Sequence, residues 1–371
     1  MSIRKVAYLT PLYFDEKSSL GGGERYPLNL AIGVVHASGG TCQVELISYG
    51  AASFRKVLYP GVSLRVLRVD NRPERSLDVM SWELPSAIAD ADLVHLHSAY
   101  NRSSEVGLLV AKQQRKPICV TDHGGMTSTL GLDLGILELA DQIITNSAFG
   151  AAFYRTQTPI EVIPGGVDGT LFTPPPPGTR PRRDRVLYVG RLLPHKGIDV
   201  LIDALPPDLP LTVCGRPYHE ENDRQLRRSA EGKPVEFVTD ADDATILDLY
   251  RRAWVNVLPS VYRDCWGQAN NAPELMGFTL QEAMACGTPA ICSRVGGMPE
   301  YVRDGETGFV YDTPEELTAR LRLLAGDPAL ADRMGAKGRL AIEEQYDLRV
   351  AGRRMLALYR RLVAERRDAA A

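Results

Sequence analysis

The sequence predicts an α/β protein with two Rossmann-like, doubly wound domains, and three observations support this prediction. A short apolar strand, a glycine-containing stretch and a helical pattern follow one another twice, first from Val6 and again from Val186. A proline-rich run at residues 174–177 lies between the two series and has no apolar core of its own. The length of 371 residues accommodates two domains of about 180 residues each.

The amino-acid composition is typical of a globular protein and gives no sign of a nucleic-acid-binding or membrane-spanning one. Hydrophobic residues make up 44% of the chain and charged residues 24%, and the net charge of -3 gives no general attraction to nucleic acid. The N-terminal apolar run is too short for a signal peptide, and no run of about 20 apolar residues predicts a membrane span. The six cysteines lack a C-x-x-C pair, which favours buried, reduced thiols in a cytoplasmic protein over disulfides or zinc.

The first domain begins with a strand at residues 6–9, and a glycine stretch precedes the helical pattern of residues 26–37. Gly21, Gly22 and Gly23 remove side chains where backbone N–H groups could meet a phosphate or the acceptor, so we expect a contacting loop here. A plain flexible turn is the alternative, and the G-x-G-x-x-G pattern of nicotinamide sites is missing. Further strands are predicted at residues 44–48, 62–69, 92–97 and 117–121.

Three histidines lie near the ends of predicted strands. His95 and His97 share one face of a strand, a pattern found in metal sites, but no third ligand is nearby in the sequence. We therefore expect one imidazole to face the carboxyl end of the strand and the other to pack. His123 follows the strand at 117–121, at the sheet edge where open α/β sheets bind ligands. A histidine satisfied by neighbouring backbone is the alternative.

The second domain repeats the strand–loop–helix order. Its predicted strands and helices are residues 186–189, 199–204, 211–215, 235–239, 246–253, 255–260 and 290–293. The motif G-R-L-x-x-x-K-G directly follows the first of these strands, from Gly190 to Gly197. The planar guanidinium of Arg191 can donate two parallel hydrogen bonds, and the flexible side chain of Lys196 carries a compact positive charge. Both suit the two phosphates of a nucleoside diphosphate. A solvated basic turn is the alternative.

Two carboxylates, Glu274 and Glu282, are separated by a turn that leads into a helix at residues 280–285. Free N–H groups at the start of a helix form an anion site. A ligand with a phosphate in the middle and hydroxyls at both ends fits this spacing, and a nucleotide sugar is such a ligand. A surface helix with two solvated carboxylates is the alternative for this motif taken alone.

These motifs, with A-M-A-C-G-T-P after Glu282 and G-G-x-x-E from Gly296, resemble the family-four retaining glycosyltransferases, also called group 1 glycosyl transferases. The resemblance covers essentially the whole chain and is more specific in the second half. In the first half, residues 140–147 and 161–168 are similar to family segments, although Gly165 replaces the usual Asn. The resemblance implies the GT-B fold, with two Rossmann-like domains facing across a cleft and a C-terminal helix that crosses back to the first domain.

The expected domains follow from this resemblance. Residues 1–173 would bind the acceptor, 174–185 would be the linker, 186–346 would bind the nucleotide sugar, and 347–371 would form the crossing helix. That last helix is amphipathic and basic, so weak peripheral contact with a membrane is the alternative role. The loop at 261–271, which contains Trp266, would either shape a pocket or cover the sheet edge.

The resemblance also implies a reaction. A hexosyl group would move from a nucleotide-diphosphate sugar, with UDP-sugars expected first from family frequency, to an acceptor hydroxyl with retention at the anomeric carbon. No cofactor and no metal ion are expected, and attack would occur on the same face with help from the leaving phosphate. The acceptor would be a small molecule, a glycan or a lipid-linked sugar, and nucleic acid is not expected as a partner.

Roles for single residues come from the same resemblance. Glu274 would hold the hexose hydroxyls, Glu282 would hold the ribose, and His123 would touch the sugar from the first domain. The diphosphate would be held by Arg191, Lys196 and the N–H groups of Gly277, Phe278 and Thr279. The base would lie near Val238, where the sequence departs from the common family pattern.

Two other functions remain open from the sequence. A GT-B isomerase, such as a nucleotide-sugar 2-epimerase, would use the same donor without an acceptor. A non-catalytic nucleotide-sugar binding protein would not consume the donor at all. A dehydrogenase is disfavoured because the dinucleotide fingerprint is missing.

Overall fold

The computed structural model describes residues 3–10, 22–72, 78–123, 130–176, 178–179 and 183–368. The chain packs into two compact units, Met1–Gly166 with Leu348–Ala371, and Val167–Asp347. Each unit contains a largely parallel sheet with helices, so the predicted α/β class with two Rossmann-like sheets is confirmed.

The first unit has an eight-stranded sheet within the described ranges, in the order β3-β4-β2-β1-β5-β6-β7-β8. Its strands are β1 (Lys5–Leu9), β2 (Gln43–Gly50), β3 (Phe54–Tyr59), β4 (Val62–Arg68), β5 (Leu93–His97), β6 (Ile118–Thr121), β7 (Gln142–Thr145) and β8 (Ile160–Val162). Its helices are α1 (Gly22–Ala37), α2 (Leu84–Ala87), α3 (Arg102–Gln113), α4 (Leu130–Asp133), α5 (Ala148–Ala151) and the C-terminal α12 (Leu348–Asp368). Every residue of β5, β6 and β7 is buried, including the polar His95, His97 and Gln142, as expected for inner strands of a parallel sheet covered on both faces.

The sequence did not predict β3. This strand pairs antiparallel with β4 at the edge of the sheet, and its residues are exposed or half-buried. A strand with little buried surface needs no apolar run, so periodicity gave no signal there.

The predicted loop at the N-terminal glycines is corrected by the structure. Helix α1 begins at Gly22, so Gly22 and Gly23 lie in its first turn, four residues before the predicted start. Glu24 in the same turn favours this longer helix because its carboxylate faces the positive end of the helix dipole. Gly21 lies outside the described residues. A ligand contact by these glycines stays a prediction.

Helix α12 packs on α1, which confirms the predicted return of the C-terminal helix to the first unit. The two helices approach closely at Gly33 and Gly352. A Cβ placed on Gly352 would lie 2.1 Å from the carbonyl carbon of Gly33. The buried residues of α12 include Met355 and Tyr359.

The second unit has a six-stranded parallel sheet among its described residues, in the order β11-β10-β9-β12-β13-β14. Its strands are β9 (Arg185–Val189), β10 (Leu211–Cys214), β11 (Val235–Val238), β12 (Ala253–Leu258), β13 (Ala290–Ser293) and β14 (Gly308–Tyr311). Its helices are α6 (Ile198–Ala204), α7 (Glu220–Ser229), α8 (Asp243–Arg252), α9 (Phe278–Ala285), α10 (Pro314–Gly326) and α11 (Pro328–Ala341). Strand β14 was not predicted, because Gly308 opens it; a Cβ there would lie 1.8 Å from the Ala290 carbonyl oxygen.

The packing changes from the first unit to the second between Gly166 and Val167, before the proline-rich run. Val167 forms an isolated β-bridge with Asp347, and Phe172 is fully buried. The guanidinium of Arg339 donates to the carbonyl oxygens of Gly169 and Phe172 at 3.0 Å each. Residues 167–173 therefore pack with the second unit, although the linker was expected to begin only at residue 174.

Candidate active site

The loops that follow β9, β12 and β13 leave the second sheet at its carboxyl edge, where α/β proteins bind ligands. After β9 the chain makes one 3₁₀ turn, Pro194–Lys196, and Gly197 stops this turn with φ of +64°. A Cβ on Gly197 would lie 2.1 Å from the Pro259 carbonyl oxygen, so only glycine allows this close approach. The Val261 N–H donates to the His195 carbonyl at 2.9 Å. The turn that carries Lys196 is thereby fixed to the loop after β12.

Lys196 and Glu274, 78 residues apart in sequence, form an ion pair through Nζ and Oε2. The side chains are only 12% and 15% exposed. The other carboxylate oxygen of Glu274 accepts a hydrogen bond from the Gly277 N–H at 3.1 Å. The structure thus brings together three of the predicted donor-site residues.

The electrostatics of this pair favour its charged form. Burial raises the pKa of the Glu274 carboxyl, but Lys196 and the Gly277 N–H outweigh burial, so the net pKa lies below the ordinary value. In neighbouring His195 a lowered pKa favours the neutral form instead. Burial and then the Lys196 charge lower the pKa of His195 to about 4. At neutral pH the imidazole of His195 beside the ion pair is therefore neutral.

Helix α9 begins beside the ion pair. Gly277 precedes it with φ of +75°, a left-handed conformation that glycine adopts without strain. Phe278 is buried and anchors the first turn, whereas the Thr279 hydroxyl is buried with no hydrogen-bond partner in the part of the chain that the structure describes. First-turn N–H groups have no partner inside a helix. A polar ligand at this helix start would meet these N–H groups.

Glu282 is placed differently from Glu274. It lies within α9 and is 3% exposed, and its carboxylate accepts a hydrogen bond from the Tyr250 hydroxyl at 2.8 Å. The carboxylate is therefore not solvated, which rules out the interpretation of a surface helix with two solvated carboxylates. Its predicted contact with a ribose stays a prediction.

Arg191 and Val238 are not joined to the ion pair by a contact that the structure describes. The guanidinium of Arg191 is exposed and lies 5.9 Å from the ring centroid of Tyr218. The carbonyl oxygen of Val238 accepts a hydrogen bond from the Gly215 N–H at 2.9 Å. This oxygen therefore already has a partner at the end of the neighbouring strand. Their roles in phosphate and base binding stay predictions.

Two residues at the site were missed or undervalued from the sequence. Gly296 was named only as the first residue of the G-G-x-x-E motif, but it has φ of +62° and lies so close that a Cβ would be 1.9 Å from the Glu274 carbonyl oxygen. Its N–H donates to the Tyr262 hydroxyl at 3.0 Å. The next N–H in the chain, that of Gly297, donates to the Glu274 carbonyl oxygen at 3.0 Å and holds the backbone of Glu274. Tyr262 lies in the long loop after β12, where no motif marked it.

The first unit holds the three histidines at the carboxyl end of β5 and β6. His95 is fully buried; its Nε2 lies 2.7 Å from the Thr121 hydroxyl, and its Nδ1 contacts the Tyr359 hydroxyl. His97 Nδ1 lies 3.3 Å from Nε2 of His123, so His97 is the imidazole that faces the strand end. Within the described ranges, no three His, Cys, Asp or Glu side chains are grouped to hold a metal ion.

Two family models together match most of the chain. The model described as Glycosyl transferases group 1 matches residues 172–341, and the model described as Glycosyltransferase Family 4 matches residues 20–171. The chain belongs to glycosyltransferase family 4. The resemblance that the motifs suggested is confirmed, and this glycosyltransferase is a retaining enzyme of the GT-B fold that uses a nucleotide-sugar donor.

Several curated proteins are similar to this glycosyltransferase. The phosphatidyl-myo-inositol mannosyltransferase of Mycobacterium leprae is 28% identical, with 96% of each chain covered. The D-inositol 3-phosphate glycosyltransferase of Acidothermus cellulolyticus is 28% identical over 84% of this chain and 79% of that protein. A GDP-mannose-dependent phosphatidylinositol monomannoside mannosyltransferase of Mycolicibacterium smegmatis is 32% identical, but the match spans 58% of this chain and 59% of that protein.

Solved structures support the fold of this glycosyltransferase. Sucrose-phosphate synthase from Thermosynechococcus elongatus is similar with a TM-score of 0.76 and 24% identity, covering 98% of this chain and 100% of that one. Anabaena HepE in complex with UDP and glucose is similar with a TM-score of 0.70 and 18% identity, covering 95% and 98% of the two chains. None of the helices in the described ranges combines the length and apolar character that crossing a membrane requires.

Proposed function

We propose that this glycosyltransferase moves a hexosyl group from a nucleotide-diphosphate sugar to an acceptor hydroxyl, without a metal ion. The observation that carries this proposal is the ion pair of Lys196 and Glu274 beside the start of α9. A cation and helix N–H groups suit the leaving diphosphate, and a carboxylate beside them suits the hexose hydroxyls. Same-face attack assisted by the leaving phosphate needs no protein nucleophile.

In the free protein Lys196 and Glu274 neutralise each other. A diphosphate that enters competes with Glu274 for the ammonium group, because both are anions and only one can be in contact with each N–H donor. Once Lys196 turns to the phosphate, the Glu274 carboxylate becomes available as an acceptor for sugar hydroxyls. The Gly277 N–H holds one of its oxygens in place during this exchange. The pair is thus a preassembled form of the donor site.

The names of the similar enzymes suggest which donors and acceptors to test first. UDP-sugars are the first donors to test, and GDP-mannose is the second, because one similar mannosyltransferase is named for it. Three similar enzymes are named for acceptors that contain inositol, so myo-inositol, its 3-phosphate and phosphatidylinositol are the first acceptors to test.

Thermal shift followed by a donor-consumption assay tests this proposal. A cognate donor is expected to raise Tm, since a ligand held at 100 times its Kd stabilises the fold by about 2.7 kcal/mol. The donor is then incubated with and without each acceptor, with EDTA present, and the anomeric configuration of the product is determined by NMR. Formation of a new sugar nucleotide without acceptor would identify a 2-epimerase instead. Binding without any consumption of donor would identify a binding protein.

Glu282→Gln tests the proposed grip on the ribose. We expect the KM for the donor to rise about tenfold with a smaller change in kcat, because a neutral amide accepts hydrogen bonds more weakly than a carboxylate by roughly 1.4 kcal/mol. Initial rates over a range of donor concentrations measure this. Tyr250→Phe is the companion variant, since it removes the hydroxyl that donates to Glu282 and leaves the carboxyl group in place. If Glu282→Gln lowers only the thermal stability, the carboxylate is structural.

A further inference from the structure

His97 lies at the carboxyl end of β5 and is 2% exposed. Its ring is parallel to that of His123 within 2°, and the ring centroids are 5.5 Å apart. The facing nitrogens, His97 Nδ1 and His123 Nε2, are only 3.3 Å apart, so the two rings meet edge to edge and share a hydrogen bond. The remaining nitrogen of His97, Nε2, is buried and has no partner among the described residues.

The buried nitrogen decides where the protons lie. A neutral imidazole carries one proton, and one of the two facing nitrogens must donate it. If His123 donated, the proton of His97 would lie on Nε2 as a buried N–H without an acceptor, which native structures rarely tolerate. If His97 donates from Nδ1, only a lone pair is left unpaired on its Nε2. Donation from His97 Nδ1 therefore has the lower free energy.

Burial supports a neutral pair. It lowers the pKa of His97 well below the ordinary value, and it lowers the pKa of His123 to about 4. The ring of Tyr26 packs edge-on against His123 at a centroid distance of 4.6 Å, which restricts rotation of that imidazole. His95, on the same strand face, differs from His97 because both of its ring nitrogens have partners.

We propose that His97 is a positioning residue that fixes the tautomer of His123. Its Nδ1–H donates to Nε2 of His123, so His123 carries its own proton on Nδ1. His123 therefore offers an N–H donor, rather than a lone pair, to its ligand. A sugar hydroxyl oxygen is the chemistry that such a donor recognises. The inference rests on the proposed function only for the identity of that ligand, because the hydrogen bond between the two histidines exists in the free protein.

Nitrogen-15 NMR of the imidazoles tests the tautomer directly, without substrate. Two-bond ¹H–¹⁵N correlation separates a protonated Nδ1 from a protonated Nε2, and the spectrum of His123→Asn assigns the His123 signals among the six histidines. We expect a protonated Nδ1 on His123 in the native protein and a change toward a protonated Nε2 in His97→Leu. A protonated Nε2 on native His123, or no change in His97→Leu, would overturn the proposal.

Rescue by an amide gives a second, kinetic test. The side-chain nitrogen of His97→Asn falls near the position of Nδ1, whereas that of His97→Gln falls nearer Nε2. We expect His97→Leu and His97→Gln to lower kcat about tenfold or more, the order of effect seen when a group that orients a functional histidine is lost. His97→Asn should recover most of that loss. Equal kcat values in the Asn and Gln variants would contradict the proposal.

Two controls separate positioning from stability. His95→Asn removes the other buried imidazole of the strand; it should lower Tm but leave the tautomer of His123 unchanged. His36→Asn changes an exposed histidine at the end of α1 and should leave both unchanged. If His123→Ala keeps full activity, the proposed sugar contact of His123 fails, and the NMR result still decides the inference. If His123→Ala is impaired but His97→Leu is not, the inference alone fails.

Discussion

Glu274→Gln is expected to lower kcat at least ~100-fold while a nucleoside diphosphate binds as tightly as before or more tightly. The amide keeps the shape of the side chain but removes the negative charge that pairs with Lys196. An unpaired ammonium is then free for the phosphates, since two unit charges about 4 Å apart near a protein surface interact by roughly 4 kcal/mol. Calorimetry with UDP or GDP measures affinity, and single-turnover kinetics with the cognate donor measures the chemical step.

Lys196→Ala should have a different signature. It too should lower kcat at least ~100-fold, because the leaving phosphate loses its cation. The affinity for the nucleoside diphosphate should fall as well, since the remaining Glu274 carboxylate repels the phosphates. The contrast between the two variants assigns the cation to the diphosphate and the carboxylate to the sugar. Weaker nucleotide binding in Glu274→Gln than in Lys196→Ala would reverse the assignment.

Asp203→Asn is a matched control for the carboxylate-to-amide change. Asp203 also pairs with a lysine, Lys233, at 3.2 Å, but its side chain is exposed on α6. An exposed ion pair contributes about 0–1 kcal/mol, so this variant should keep both the activity and the fold. A comparable loss of turnover in Asp203→Asn would mean that the assay responds to surface charge in general.

Gly352→Ala is expected to destabilise the first unit by about 3 kcal/mol, at the upper end of the range for overpacked cores. The added Cβ would lie 2.1 Å from the carbonyl carbon of Gly33, and the obstacle is backbone, which cannot rotate away as a flexible side chain does. The whole of α12 must therefore move from α1. Urea denaturation followed by far-UV circular dichroism measures the change in midpoint.

Gly352→Ala is also expected to disturb the packing around His95. Tyr359 on α12 donates to the Tyr8 hydroxyl at 2.7 Å and also contacts His95, so a displaced helix disturbs the packing beneath β5. Gly326→Ala is the control, because a Cβ at the end of α10 meets no atom within 4 Å. That change should be neutral or stabilising by up to about 1 kcal/mol. Equal midpoints for the two alanine variants would show that the helices separate at no cost.

The sequence alone identified most of the structure and the family. Strands such as β1 and β9 are short, largely apolar runs, and short runs followed by glycine and a helical pattern are local signals. The motifs around Lys196 and Glu274 are local as well, so the sequence could indicate these residues as candidates for a donor site. Strands β3 and β14 were missed because one is exposed and the other begins with a glycine that only its neighbour explains.

The tertiary structure decided which of these groups meet. The sequence could not show that Lys196 pairs with Glu274, that Glu282 is turned toward Tyr250, or that His97 rather than His95 faces His123. Each of these contacts joins residues from 26 to 78 positions apart. Local periodicity sets strands, helices and the side that each buries, but side-chain partners depend on how parallel strands are ordered in the sheet. That order is set by long-range packing, and for this reason the contact between His97 and His123 emerges only from the folded chain.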